Sequence, residues 1–296
     1  MKLEAICVGE AVPRSDFDAE VHSCFGSAVN LRLARSNRLL TLVTFEQADL
    51  PQGIRLNTPQ GFSFEGLCSG ESVTCRDGLL LCEQTSLTID LRPAKRWKCN
   101  LPALACNMKN PSTSAAWQSV AALLDERRIL VERGLNTAQI AAARMLRKGA
   151  IDLVATTRSH DLAAADVAAT LVGLGSGLTP AGDDLLVGYL AGLWCTAGEN
   201  TERSRFLSVL GKAIIRLSRG TNDISRTYLV HAARGQVSNR LATLAKAICQ
   251  AEPPHRILEA TEAALQAGHD SGMEGVNGLL LGLSAWDGTP AQGKRI

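Results

Sequence analysis

Three short polar segments, each running into an apolar helical pattern, hold the residue types that could do chemistry in this chain. The first is Gly173-Leu174-Gly175-Ser176-Gly177-Leu178-Thr179-Pro180-Ala181-Gly182-Asp183-Asp184. Glycines expose backbone N–H groups, and a helix start adds unpaired N–H donors and the positive end of the dipole, so an anion can be held there without a lysine. Phosphate or carboxylate is the natural ligand for such a loop. A Walker loop would need Gly-Lys-Ser/Thr at its end, and the dinucleotide fingerprint would need a third glycine where Leu178 stands and a strand before it. Both nucleotide readings fail, and no nucleotide or redox cofactor is expected.

Asp183 and Asp184 fall at the helix start, where a carboxylate caps free N–H groups and gains from the dipole. Neighbouring helical positions diverge by about 100 degrees, so the two cannot face one pocket equally. One of them, Asp183 or Asp184, is then a candidate to bind magnesium or act as a base. The second segment, Thr221-Asn222-Asp223-Ile224-Ser225, sets two hydroxyls, an amide and a carboxylate at another helix start. Taken alone it reads as a plain N-cap. The third, Gly268-His269-Asp270-Ser271-Gly272, offers His269 as a general acid or base, although a lone loop histidine is more often only hydrogen-bonded or solvated.

Glycine spacing ties the first segment to the third. Gly188 and Gly192 lie four apart after the first loop, and Gly275, Gly278 and Gly282 form a similar stripe after the last. A helical glycine costs about 1 kcal/mol, so glycines inside apolar helices need a packing reason, and close helix approach supplies one. If the two helices pack in parallel along these faces, the two loops meet; antiparallel packing would separate them. Such stripes would equally serve an interface between copies, so a homo-oligomer is compatible with them.

The elements that must position these loops divide the chain. Val29, Leu31 and Leu33 alternate with Asn30, Arg32 and Ala34, and after Ser36-Asn37 the run Leu39 to Phe45 completes a hairpin pattern. Asp77-Gly78 joins Val73–Arg76 to Leu79–Cys82 as a stronger hairpin signal, and Leu87, Ile89 and Leu91 alternate again. The stretch Asn107 to Ser114, with Pro111, breaks the pattern as a linker. Helices are then expected over Ala115–Glu132, from Thr137 to a stop at Gly149, from Asp161 to Val172, and at about Asp183–Thr196, Glu202–Ser218, Asp223–Ala233, Asn239–Gln250, Pro254–Ala267 and Gly272–Trp286. The expected fold is α+β: a β-rich N-terminal domain over 1–110, a small barrel or curled sheet, followed by an all-helical domain over 111–296 that carries the anion site.

Composition narrows the function class. A chain of 296 residues with 46% hydrophobic and 20% charged residues is an ordinary globular protein with room for two domains. A net charge of +2 and a pI near 8.1, without a dense Lys/Arg cluster, argue against nucleic acid. The apolar stretch Leu185–Cys195 is too short to span a bilayer, and Met1–Glu10 does not look like a secretion signal. Nine cysteines, none in a CxxC pair, fit reduced thiols in the cytoplasm; Cys68, Cys75, Cys82, Cys99 and Cys106 read as small buried side chains in strands.

These segments resemble the AllH-like family, named for a subunit of the oxamate carbamoyltransferase of anaerobic allantoin degradation. The resemblance rests on Gly173 to Asp184, on Thr221 to Ser225 with Tyr228, Leu229 and Ala232 through Gly235, and on Gly268 to Gly272. Gly-Leu-Thr-Pro followed by Asp-Asp is its most specific part. Asn30-Leu31, Leu40-Thr41-Leu42 and Gly53-Ile54 add a weaker likeness in the first half. The resemblance implies a subunit working with two other proteins, one similar to acyl-CoA synthetase chains, to turn oxalurate and phosphate into oxamate and carbamoyl phosphate. All these ligands are small anions. The family often has threonine where this chain has Asp270, and a carboxylate there would repel an anion unless a metal, Arg219 or Arg226 balances it.

Together these readings have Gly175, Ser176, Gly177 and Thr179 hold the anion and Asp183 or Asp184 bind magnesium or orient the nucleophile. Thr221, Asn222 and Ser225 complete a polar wall, and His269 and Ser271 reach the carbonyl being transferred. Two other functions stay open: a non-catalytic scaffold or effector-binding subunit, and a stand-alone hydrolase of a carbamoyl compound.

Overall fold

The computed structural model describes residues 1–36, 38–134, 136–266 and 271–288. The chain forms two compact units, Met1–Cys99 and Asn100–Ile296.

The first unit is a barrel. Its strands are β1 (Lys2–Gly9), β2 (Phe17–Phe25), β3 (Ala28–Leu33), β4 (Leu39–Val43), β5 (Gly53–Leu56), β6 (Ser72–Arg76), β7 (Leu79–Cys82), β8 (Leu87–Asp90) and β9 (Lys95–Trp97). The order β5-β4-β3-β2-β6-β7-β8-β1 closes on itself because β1 also pairs with β5, so eight strands form the barrel and β9 runs beside the end of β1. Val29, Leu31 and Leu33 of β3 and Leu40 and Leu42 of β4 point into one core with Leu3, Val21, Ile54, Leu56, Val73, Leu80 and Ile89. The interior is filled by side chains, as expected for a barrel of eight strands. Both hairpins read from the sequence are present, β3 with β4 and β6 with β7. Asp77 (φ 49°) and Gly78 (φ 75°) both take the left-handed backbone that a tight two-residue turn demands. Of the cysteines expected as buried strand residues, Cys75 and Cys82 are so placed in β6 and β7; Cys99 and Cys106 are buried but lie outside any strand, and Cys68 is exposed in the loop before β6. None of the nine cysteines is in a disulfide.

The second unit is helical among its described residues: α1 (Pro111–Glu132), α2 (Thr137–Arg158), α3 (Ala164–Leu171), α4 (Ala181–Ala197), α5 (Thr201–Leu217), α6 (Asp223–Ala232), α7 (Asn239–Cys249), α8 (Pro254–Leu265) and α9 (Ser271–Ser284). The α+β class expected from the sequence is therefore observed, with the barrel alternative realised. Two local expectations fail for identifiable reasons. Pro111 does not sit in a linker: Asn110 accepts from Ser112 N–H as the cap of α1, and a proline at the first helical position has no N–H to waste. Gly149 does not end α2, which continues to Arg158; the glycine instead admits α3, since a Cβ on it would lie 2.6 Å from Leu171 Cδ2.

α4 is the centre of this unit, with Leu185, Leu186, Tyr189, Leu190 and Leu193 fully buried. A helix apolar on every side must be surrounded, and α3, α5, α6, α7 and α9 surround it. Against α9 the contact is backbone on backbone. A Cβ on Gly188 would fall 1.9 Å from Gly275 O, one on Gly192 2.5 Å from Leu279 O, one on Gly278 2.0 Å from Leu185 O and one on Gly282 2.2 Å from Tyr189 O. Positions rise together along both helices, so α4 and α9 run in parallel, with their first turns side by side. The glycine stripes thus serve a contact within one chain.

Candidate functional site

The site is built where α4 begins. Gly175 (φ 117°) and Gly177 (φ 110°) have backbone that L side chains rarely adopt, which lets the loop turn over the helix end. Gly175, Ser176, Gly177 and Leu178 are exposed, and no carbonyl among the described residues accepts from their amides. The loop is pinned at both ends, with Leu174 O accepting from Gly182 N (2.8 Å) and Leu178 O from Asn222 Nδ2 (2.9 Å). The helix start itself offers fewer donors than its sequence implies. Gly182 N–H is held by Leu174, and the N–H groups of Asp183 and Asp184 both donate to Pro180 O, at 2.9 and 3.1 Å.

Asp183 is a staple. It is 1% exposed; its Oδ1 accepts from Gly173 N (2.8 Å) and its Oδ2 from Thr221 Oγ1 (2.6 Å), joining the glycine loop to the segment before α6. Burial pushes its carboxyl pKa up, and the bonds from Thr221 and Gly173 together with the Ser225 hydroxyl draw it back down. Ser225 Oγ is buried close to this carboxylate but meets hydrogen-bond geometry with no partner. Asn222 does two jobs at once: its Nδ2 holds Leu178, and its Oδ1 accepts from Ile224 N (3.1 Å) and Ser225 N (3.0 Å) to cap α6.

Asp184, one position on, is half-buried and faces Tyr228 of α6. Burial, then the Asp184 charge, push the Tyr228 hydroxyl up to about 12, so it is a donor at neutral pH. Thr179 is half-buried.

The structure therefore brings Gly175, Ser176, Gly177, Thr179, Asp183, Asp184, Thr221, Asn222 and Ser225 together. His269 and Asp270 lie outside the described residues, and Ser271 is placed only as the first residue of α9. The start of that helix is beside the site, since a Cβ on Gly275 would lie 4.0 Å from Asp184 O. Arg219 and Arg226 are exposed. Two neighbours were not singled out as site residues. Tyr228 follows Ser225 by three positions, hence shares its helix face. Glu274, buried in the first turn of α9, accepts from Asn277 Nδ2 and faces Arg128 at 4.0 Å. A carboxylate inside a glycine-striped apolar helix was the available signal.

Among the described residues no group of three or more His, Cys, Asp or Glu side chains is arranged to hold a metal ion. Asp183 is a poor ligand because both its oxygens already accept hydrogen bonds. None of the described helices is long and apolar enough to cross a membrane.

The family model described as oxamate carbamoyltransferase subunit AllH matches residues 171–283, which span the glycine loop, the start of α6 and both glycine-striped helices. The model of the AllH family N-terminal domain matches residues 4–96, the barrel. No curated protein and no solved structure matches the chain. With both units matched over most of their length, the chain belongs to the AllH family.

Proposed function

We propose that this chain is the subunit of an oxamate carbamoyltransferase that binds the small anions of the reaction, oxalurate with phosphate or a related pair, in purine or allantoin nitrogen catabolism. The observation that carries this reading is the exposed run of amides from Gly175 to Leu178, fixed in place by Asp183 and Asn222. Amides held in one geometry stabilise an anion without reorganising, which is how an oxyanion or phosphate site works. In the reaction a phosphate oxygen bonds to the carbamoyl carbon, the carbon–nitrogen bond to the oxamate half breaks, and the leaving nitrogen takes a proton. Gly175, Ser176, Gly177 and Thr179 hold the phosphate or carboxylate, while Thr221, Asn222 and Ser225 wall the site. Asp183 positions the loop and Asp184 acts on the substrate, directly or through a magnesium ion. Tyr228 supplies a phenol that stays protonated, and His269 and Ser271 are assigned to the carbonyl being transferred. The other carbamoyltransferase subunits, among them an acyl-CoA-synthetase-like chain, complete the enzyme.

A second reading has one observation in its favour. Both oxygens of Asp183 hold backbone and side-chain groups of the protein, as they would in a scaffold subunit whose glycine loop only braces helices. Turnover of the reassembled enzyme separates the two. Asp184→Asn and Asn222→Ala are expected to lose about 100-fold or more in kcat/KM with assembly unchanged, the usual loss when one preorganised group is removed. Turnover within twofold of the parent for both variants would leave the scaffold reading standing and end the catalytic one.

A further inference from the structure

Three cysteines far apart in the sequence meet in the helical unit. Cys106 lies between the turn Pro102–Leu104 and the start of α1, Cys195 lies near the end of α4, and Cys249 is the last residue of α7. Cys106 N donates to Cys195 O at 2.8 Å, which fixes the segment before α1 against α4. The Cys249 thiol is hydrogen-bonded with both the Cys106 and the Cys195 thiols. Met108 Sδ lies 3.9 Å from Cys106 Sγ. Among the described residues these groups are not arranged to hold a metal ion, which leaves thiol chemistry. A buried thiol standing alone is inert, but these three touch one another and differ in access. Cys106 and Cys195 are buried, while Cys249 is part-exposed, so a small oxidant reaches Cys249 first.

The two possible partners of Cys249 differ in freedom. Cys195 sits on α4, which helices surround, whereas Cys106 follows Ala105 (φ 43°) in a segment outside any helix or strand. Thiols already in contact must still close to a bond of about 2.05 Å, and Cys106 is the sulfur that can move to make it. We propose that Cys249 and Cys106 form a reversible oxidation site, at which a peroxide converts the two thiols to a disulfide that ties the end of α7 to the segment entering α1. Cys249 sulfur attacks a peroxide oxygen, the O–O bond breaks, and one water leaves with the thiol proton, giving a sulfenic acid. Cys106 sulfur then attacks Cys249 sulfur; the S–S bond forms, the S–O bond breaks, and hydroxide leaves as a second water with the Cys106 proton. Two thiols are oxidised and one peroxide is reduced to two waters. The hydrogen bond to Cys249, then burial, push the Cys106 thiol up. At Cys249 the bond from Cys106 draws the thiol down, and the bond to Cys195 and burial outweigh it. Only the minor thiolate fraction reacts, so the oxidation is slow at neutral pH and proceeds over hours.

The test treats the full chain with hydrogen peroxide, alkylates the remaining thiols in denaturant and locates disulfides by peptide mapping without reductant. Cys249 should be lost from the alkylated pool and recovered joined to Cys106, and dithiothreitol should reverse both changes. Cys195→Ala, checked for folding by circular dichroism, should leave that pair forming. Cys106→Ala should leave Cys249 as a sulfenic or sulfinic acid and not joined to Cys195, because α4 holds Cys195 in place. A parent in which Cys249 stays alkylatable, passes to its sulfinic acid without a disulfide, or joins Cys195 would overturn the proposal.

Discussion

Substituting alanine at two glycines three residues apart on α9 should give opposite results. A Cβ on Gly278 would stand 2.0 Å from Leu185 O, 2.8 Å from Tyr189 N and 2.9 Å from Leu185 C, all backbone atoms of α4 that no rotamer change can remove. Carbon–oxygen contacts settle near 3.3 Å or more, so the helices must part by about 1 Å or roll against each other. A gap of that size forfeits a quarter to a half of the dispersion attraction along the seam. Overpacking ordinarily costs about 1–3 kcal/mol, and rigid backbone on both sides puts this site at the upper end. Alanine's better helix propensity returns about 1 kcal/mol. The expected net loss for Gly278→Ala is about 2 kcal/mol, a fall of about 4–8 °C in Tm at about 2–4 °C per kcal/mol for a domain of this size. At Gly275 the nearest atom to a new Cβ is Asp184 O at 4.0 Å, an ordinary contact. Gly275→Ala should therefore gain up to about 1 kcal/mol by propensity and raise Tm by about 2–4 °C. Thermal melting of the two variants beside the parent reads both. A Gly278→Ala variant melting with the parent, or a Gly275→Ala variant falling as far as Gly278→Ala, would refute the parallel backbone-to-backbone seam.

Three further outcomes follow from named contacts. Asp183→Ala leaves Gly173 N–H and the Thr221 hydroxyl without their buried acceptor and should cost about 2–4 kcal/mol in denaturant unfolding, whereas Asp183→Asn, which can accept from Gly173 and donate to Thr221, should cost less than half of that. Equal losses would show that the carboxylate charge, and not the hydrogen bonds, matters there. The chain has two tyrosines, and Asp184→Asn should move the Tyr228 ionisation down from about 12 in an ultraviolet titration; an unmoved curve would contradict the Asp184–Tyr228 proximity. Arg92 hydrogen bonds hold the Asp90 carboxyl at about 2 against an ordinary 3.8, so its stabilisation is complete above the ordinary value and lost as the pH falls through about 2. Asp90→Asn should flatten that acid limb of the melting-temperature profile, and an unchanged limb would remove the pair from the account.

Much of the fold was legible where local chemistry agrees with the tertiary structure. Alternation in β3 and the Asp77-Gly78 turn gave two hairpins, since a two-residue turn with positive φ at both positions fixes its own register. Closure of the barrel was not legible. It depends on β1 pairing with β5 and β8, contacts far apart in sequence, and β1 carries a register shift between Ala5 and Cys7 that blurs its alternation. The glycine stripes pointed to close helix packing but not to its direction, which only the facing positions on α4 and α9 reveal. At the site, the loop and the two helix starts were found from glycine, cap and carboxylate types. Asp183 could not be distinguished from Asp184 in that way. Their difference lies in what each meets, Gly173 and Thr221 for one and Tyr228 for the other, and partners 38 and 44 residues away in sequence are set by α6 packing on α4.

The central claim is that the amides from Gly175 to Leu178 hold the anion, and amide-resolved nuclear magnetic resonance of the labelled chain titrated with carbamoyl phosphate, phosphate and oxamate tests it most directly. The account predicts saturable shifts concentrated at Gly175, Ser176, Gly177 and Leu178, with smaller ones over Thr221 to Ser225 through the Asp183 and Asn222 links. Saturable shifts centred elsewhere, or none with any of the three anions up to millimolar concentration, would contradict it.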